Sequence, residues 1–203
     1  MILVKIYCSR LNITNMKGFK LSIGMFVIMV LVVSCQVDRI FTYEHSSDIT
    51  EDETWNSGTH VITGEINISN ATLTIMPGVV VEFELGGGLV VGYGGGAALI
   101  ANGTTEKPII FTTSSNSPVA GDWEYIWFDA GTLSGSILNN CIIEYGGGYA
   151  YSGMVHCNNT DTPRITNCTL QHSNNHAISL SNSNPTISNN IYSDIAGSDV
   201  YTY

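Results

Sequence analysis

The segment PRITNC begins at Pro163 and PTISNN begins at Pro185, so proline, isoleucine and asparagine recur at the same offsets 22 residues apart (185 − 163). The match continues beyond the motif: Leu170 falls opposite Tyr192 and Ile178 opposite Val200. Anchored on its cysteine, LNNCIIEY aligns with ITNCTLQH, pairing Leu138 with Ile165, Cys141 with Cys168 and Ile143 with Leu170. That second interval is 27 residues (168 − 141), which places a five-residue insertion in the loop GGGYAYSG. A repeat this short cannot bury an apolar face alone and must stack on its neighbours.

The repeated unit is built from strands. From Trp55 onward short apolar stretches such as VVVEF, PIIFTT, CIIEY and AISL are bounded by Gly, Asn, Ser or Pro, and helical spacing of leucines is absent. Stacked coils of about 22 residues made of short strands and tight bends form an all-β, right-handed, single-stranded parallel β-helix. Its successive coils lie ~4.8 Å apart. Ile165 and Leu170 both read as core residues, yet five residues separate them, which breaks alternation. A bend at Asn167 returns both to the interior, because asparagine tolerates the left-handed backbone. Asn140, Asn167 and Asn189 occupy this offset in three coils and are expected to form an amide ladder.

Two resemblances extend this reading. Lys17 and Lys20 precede the apolar run LSIGMFVIMVLVVSC, which ends at Cys35. The pattern is that of a secretory leader rather than a membrane span. It resembles a bacterial lipoprotein signal, with the start at Met16 fitting best, Cys35 as the acylated first residue, and Gln36 favouring the outer membrane or cell surface. The alternative is an ordinary cleaved signal with an incidental cysteine. Residues 36–54, containing DITEDET, are expected to be a flexible acidic tether, with the β-helix domain spanning 55–203. The second resemblance rests on ATLTIMPGVVVEFELGGGLVVGYGGGAALIANGTTEKPIIFTT, GDWEYIWF and NNCIIEYGG. These are similar to the opening coils of bacterial pectin-lyase-like β-helix surface proteins. Tyr125 departs from that pattern, standing where the family's DW-x-G-I segment carries glycine. Family members usually run for many more coils, so the ending AGSDVYTY is expected to mark a fragment, or a coil covered by a partner.

Composition bounds the partners. After Cys35 only Arg39, Lys107 and Arg164 are basic, against seventeen acidic residues, a net charge of 3 − 17 = −14. Phosphate backbones repel such a chain, so nucleic acid is excluded as a partner, whereas membrane through the lipid and polysaccharide remain. Cys141, Cys157 and Cys168 lack disulfide or zinc spacing. The glycine runs are turn punctuation, because no helix follows them.

Candidate sites are few. A calcium-dependent lyase needs clustered carboxylates and a base, yet Asp122, Asp129, Asp161, Asp194 and Asp199 are scattered and Arg164 is the sole base of the repeated coils. No cofactor is implied, and Ca2+ has no clear site. Tyr145, His172 and Asp194 share one offset and are expected to stack as a column, the one catalytic candidate, with a solvated side-chain stack as the alternative. If Ile126 and Phe128 point inward, Tyr125 and Trp127 point outward, where they and the loop residues Tyr149 and Tyr151 are candidates for stacking on sugar. The competing reading has the tryptophans packed beneath loops. The expected role is binding, adhesion or structure at the cell surface, directed at carbohydrate. The alternative is a polysaccharide lyase or glycoside hydrolase whose catalytic coils lie partly beyond this chain.

Overall fold

The computed structural model describes residues 41–150 and 152–203. Cys35 with its leader, and Tyr151, lie outside the described residues.

The chain winds through seven successive coils, each visiting the same faces in the same order. The first coil supplies β1 (Thr42–His45) and β2 (Glu53–Trp55). The second holds β3 (Thr59–Ile62), β4 (Glu65–Ile68) and β5 (Thr72–Ile75), and the third β6 (Val80–Phe83), β7 (Gly88–Val91) and β8 (Ala98–Asn102). The fourth holds β9 (Ile109–Thr113), β10 (Ile126–Phe128) and β11 (Ile137–Asn139), and the fifth β12 (Cys141–Glu144), β13 (Gly153–Asn158) and β14 (Arg164–Thr166). The sixth holds β15 (Thr169–Ser173), β16 (His176–Ser181) and β17 (Thr186–Ser188), and the last β18 (Ile191–Ile195) and β19 (Val200–Thr202). Pairing is parallel throughout. The first face runs β1-β3-β6-β9-β12-β15-β18, the second β4-β7-β10-β13-β16-β19, and the third β2-β5-β8-β11-β14-β17. The protein is a right-handed parallel β-helix.

Register partners expected from the repeat meet in space: Ile165 with Ile187, Leu138 with Ile165, Ile143 with Leu170, Leu170 with Tyr192 and Ile178 with Val200. The 22-residue interval is the length of the last turn. On the first face, partners advance 42→59→80→110→142→169→191, so coils of 17, 21, 30, 32, 27 and 22 residues share one cross-section. The extra residues of the long coils leave the helix as loops, which is how length varies without disturbing the stack.

Inward side chains form columns. One runs His60, Val81, Phe111, Ile143, Leu170 and Tyr192, and another Ile66, Leu89, Ile126, Val155, Ile178 and Val200. Most are wholly buried. Each buried Ile, Leu or Phe contributes about 1.5–3 kcal/mol of transfer free energy. Cys141 and Cys168 are free thiols buried in the same core, and burial pushes the thiol of Cys157 up to about 12, away from the nucleophilic thiolate.

Two expectations are corrected here. The tether does not extend to residue 54. Thr42–His45 pairs with Thr59–Ile62, Ile49 is buried against the second face, and Trp55 is 2% exposed, so the helix begins before Trp55. The acidic residues Glu44, Asp48, Glu51 and Asp52 lie exposed between these anchors, with Asp48 and Asp52 accepting from the backbone N–H groups of Asn67 and Thr72. The amide ladder also runs one residue away from the expected column. Asn140, Asn167 and Asn189 do adopt the left-handed bend, with φ of 48°, 54° and 57°. The amide contacts, however, pass from Asn167 Nδ2 to Asn139 Oδ1 and from Asn139 Nδ2 to Asn102 Oδ1, each 2.8 Å. The left-handed backbone turns the Asn140 side chain to the Gly103 carbonyl instead.

Candidate functional site

Outward-facing residues of the second face form a groove. Alternation along β10 sends Ile126 and Phe128 into the core and leaves Trp127 outside, half-exposed. In register with Trp127 stand Val90 on β7, Asn67 on β4 and His156 on β13. Asn67, Val90 and Trp127, with Glu65, Tyr93, Tyr125, Asp129 and Asn158, surround a cavity of about 350 Å³ that opens to solvent.

Tyr125 is the part of this surface that alternation misplaces. It lies on the outer side of the sheet but is 7% exposed, because its ring settles against Gly88. A Cβ at Gly88 would meet the Tyr125 ring at 3.1 Å, so the glycine of β7 makes the seat for the aromatic one coil later. That seat also explains how a bulky residue stands where glycine was expected. Tyr125 is therefore wall rather than exposed platform. Its hydroxyl donates to Glu65 Oε2 at 2.6 Å, and burial, with the Glu65 and Glu124 carboxylates nearby, raises the phenol far above its ordinary range. The phenol stays protonated and fixes the Glu65 carboxylate. Tyr149 stands edge-on to Tyr125 at 5.6 Å and is exposed at the rim.

Opposite Glu65, Asp129 Oδ1 accepts from Asn158 Nδ2 at 2.8 Å. The His156 ring tilts against Trp127 with centroids 3.9 Å apart, and its Nδ1 meets Ser179 Oγ at 2.6 Å. Burial lowers the imidazole to about 4 despite the opposing pull of Asp129, so it is neutral near pH 7. The three tryptophans differ in one decisive respect. Trp55 donates its indole N–H to Glu53 and Trp123 donates to the Glu144 carbonyl, while Trp127 makes no such bond among the described residues. Trp55 and Trp123 are buried, so they pack in the core, and Trp127 alone presents ring and N–H to the groove.

Glu65 and Asp129 stand at separate positions along the groove. Two strand spacings and four residues along the strand separate them, placing their Cα atoms ~16 Å apart. Asn158 holds Asp129 on the side away from Glu65.

The column of Tyr145, His172 and Asp194 is assembled elsewhere, at the bends that follow the first face. All three residues are left-handed, with φ of 64°, 55° and 53°. The Tyr145 and His172 rings stack at 4.9 Å, and His172 Nδ1 meets Asp194 Oδ2 at 2.7 Å. The His172 and Asp194 side chains are 35% and 75% exposed, which makes this a solvated contact of small energetic weight. His176 does not join the column; it stacks on Tyr201 and accepts from the Ser198 N–H. Among the described residues, no three His, Cys, Asp or Glu side chains are grouped to hold a metal ion.

Glu65, Asn67, Tyr93, Asp129 and Asn158 were not anticipated as site residues. Each reaches the groove through register, so only an alignment of all coils on one another would have found them.

A family model described as a pectate-lyase-like beta helix domain matches residues 47–133. The match covers the first coils and all of the groove except Asn158. No curated protein and no solved structure matches the chain. The similarity agrees with the β-helix and with a fold related to polysaccharide proteins.

Proposed function

We propose that the protein binds polysaccharide in the second-face groove and does so from the cell surface, held there by a lipid on Cys35. The observation that carries the reading is Trp127: a half-exposed indole with an uncommitted N–H, on the floor of a cavity rimmed by amides and carboxylates. An indole face packs against the C–H face of a pyranose while Asn67, Asn158 and the carboxylates hydrogen-bond its hydroxyls. Tyr125 and Gly88 make the floor rigid, which limits the ordering cost of binding.

The test is affinity electrophoresis and calorimetry against a panel of soluble polysaccharides, with the Trp127→Ala variant alongside. The expected result is retention by at least one glycan without release of reducing ends or unsaturated products, and about a tenfold or greater loss of affinity in the variant. Binding unchanged by Trp127→Ala, or no binding to any glycan, would overturn the reading. For the anchor, the intact mass of protein from its native membranes should fit a chain beginning at an acylated Cys35. A mature terminus at any other residue contradicts it.

A further inference from the structure

We infer that the groove selects glycan chains bearing protonated amines, an inference that rests on the polysaccharide-binding reading above. The groove carries carboxylates at two opposite corners. Glu65 is exposed and keeps Oε1 free while Tyr125 occupies Oε2. Asp129 keeps Oδ2 free while Asn158 occupies Oδ1. Both are anchored by neutral donors rather than by cations, so neither charge is cancelled. The described residues contain two basic side chains, Lys107 and Arg164. Arg164 belongs to the third face and Lys107 to the turn before β9, and neither lines the groove.

The floor between the corners has the matching character. Cations are attracted to the face of an indole, and the attraction grows where water is displaced. His156, tilted against Trp127, is neutral and adds no repulsion. A uronic acid polymer would bring its own negative charges between Glu65 and Asp129 with nothing to neutralise them. A polymer of amino sugars supplies what the site lacks: a pyranose face for Trp127 and an ammonium for each carboxylate. The two corners are ~16 Å apart at their Cα atoms, so one amine cannot serve both. A repeating chain with amines on separated units can.

The test compares three soluble ligands by calorimetry on the full chain: fully deacetylated β-linked glucosamine oligomers, their N-acetylated counterparts of equal length, and oligogalacturonate. The expected result is that the amine form binds about tenfold or more tightly than the acetylated form, with oligogalacturonate weakest. High salt should erode that preference. In the Glu65→Gln, Asp129→Asn double variant the ratio of amine-form to acetylated-form affinity should collapse towards parity. A control double variant at exposed, remote carboxylates, Glu51→Gln and Glu106→Gln, should keep it. Equal binding of amine and acetylated forms by the unaltered protein overturns this inference and leaves the polysaccharide reading standing. A preference that survives Glu65→Gln, Asp129→Asn assigns it to the overall negative charge and also overturns it. Failure of all three ligands and of the wider panel overturns both.

Discussion

Two clusters of aromatic rings in the molecule are built in opposite ways. At the start of the helix, Tyr43 and His60 stack at 4.8 Å, Trp55 and His60 at 4.5 Å, and His45 and Trp55 at 4.3 Å, all within 26° of parallel. Tyr43, His60 and Val81 are register partners, so these rings continue a core column and close it. On the second face, Tyr125 meets Trp127 at 73° and Tyr149 at 84°, edges against faces, and Trp127 remains half-open. The same residue types plug a core in one place and floor a groove in another. Parity along the strand and the room left by a neighbouring glycine decide which, so composition alone assigns no role to an aromatic.

Breaking the plug should damage stability and spare binding. Trp55→Ala removes a wholly enclosed ring and should cost about 3–5 kcal/mol in chemical denaturation, with groove affinity unchanged in whatever fraction stays folded. If Trp55→Ala instead weakened glycan binding at full stability, the division of labour would fail.

Acid should open the plug as well. His60 Nε2 is buried without a partner, and burial, then the neighbouring His45, lowers His60 to about 4. A group whose folded value lies below its unfolded value of 6.5 contributes stability that is complete above about pH 6.5. That stability is lost as pH falls towards 4, by on the order of 3 kcal/mol in total. Hydrogen-exchange protection, corrected for the intrinsic pH dependence of exchange, should therefore fall in β1 and β3 near pH 5. His156 is lowered in the same direction and should add an acid loss at β10 and β13. Glu82 and Glu124, which burial holds above the usual carboxylate range, oppose both, since protonation relieves their burial. Protection at β1 and β3 that is flat with pH would contradict the account of the plug.

Breaking the groove floor should have the reverse signature. Trp127→Ala should lose roughly 1–3 kcal/mol of glycan affinity and cost less stability than Trp55→Ala, because its ring is only partly buried. The smallest effects belong to the third ring stack, Tyr145 on His172. A double-mutant cycle on His172 and Asp194 should give under ~1 kcal/mol in stability and nothing in binding. A larger coupling, or any loss of glycan binding, would make that column part of a site.

Much of the fold was legible because stacking forces equal offsets to carry equal residues. Ile165 over Ile187 and Leu170 over Tyr192 could be paired with no structure at hand. The left-handed bend at Asn167 was legible for a similar reason, since only that backbone reconciles Ile165 and Leu170. The start of the helix was not. Acidic residues surround its anchors, and FTYEH shows its inward alternation of Tyr43 and His45 only once β3 is placed beside it. Trp127 could be placed outward by alternation, but the burial of Tyr125 depends on Gly88, 37 residues earlier (125 − 88). Its partner Glu65 lies 60 residues away. Site residues that meet across coils of 30 and 32 residues share no spacing that a reader of one strand could see.

The three tryptophans allow the central claim to be tested in one spectrum. Their indole N–H groups give separate NMR signals, assignable by single substitutions, and two of them are engaged inside the protein. Titration with a bound glycan should shift the Trp127 signal progressively and leave those of Trp55 and Trp123 in place. A glycan that binds while the Trp127 signal stays fixed would show that the groove is not the site.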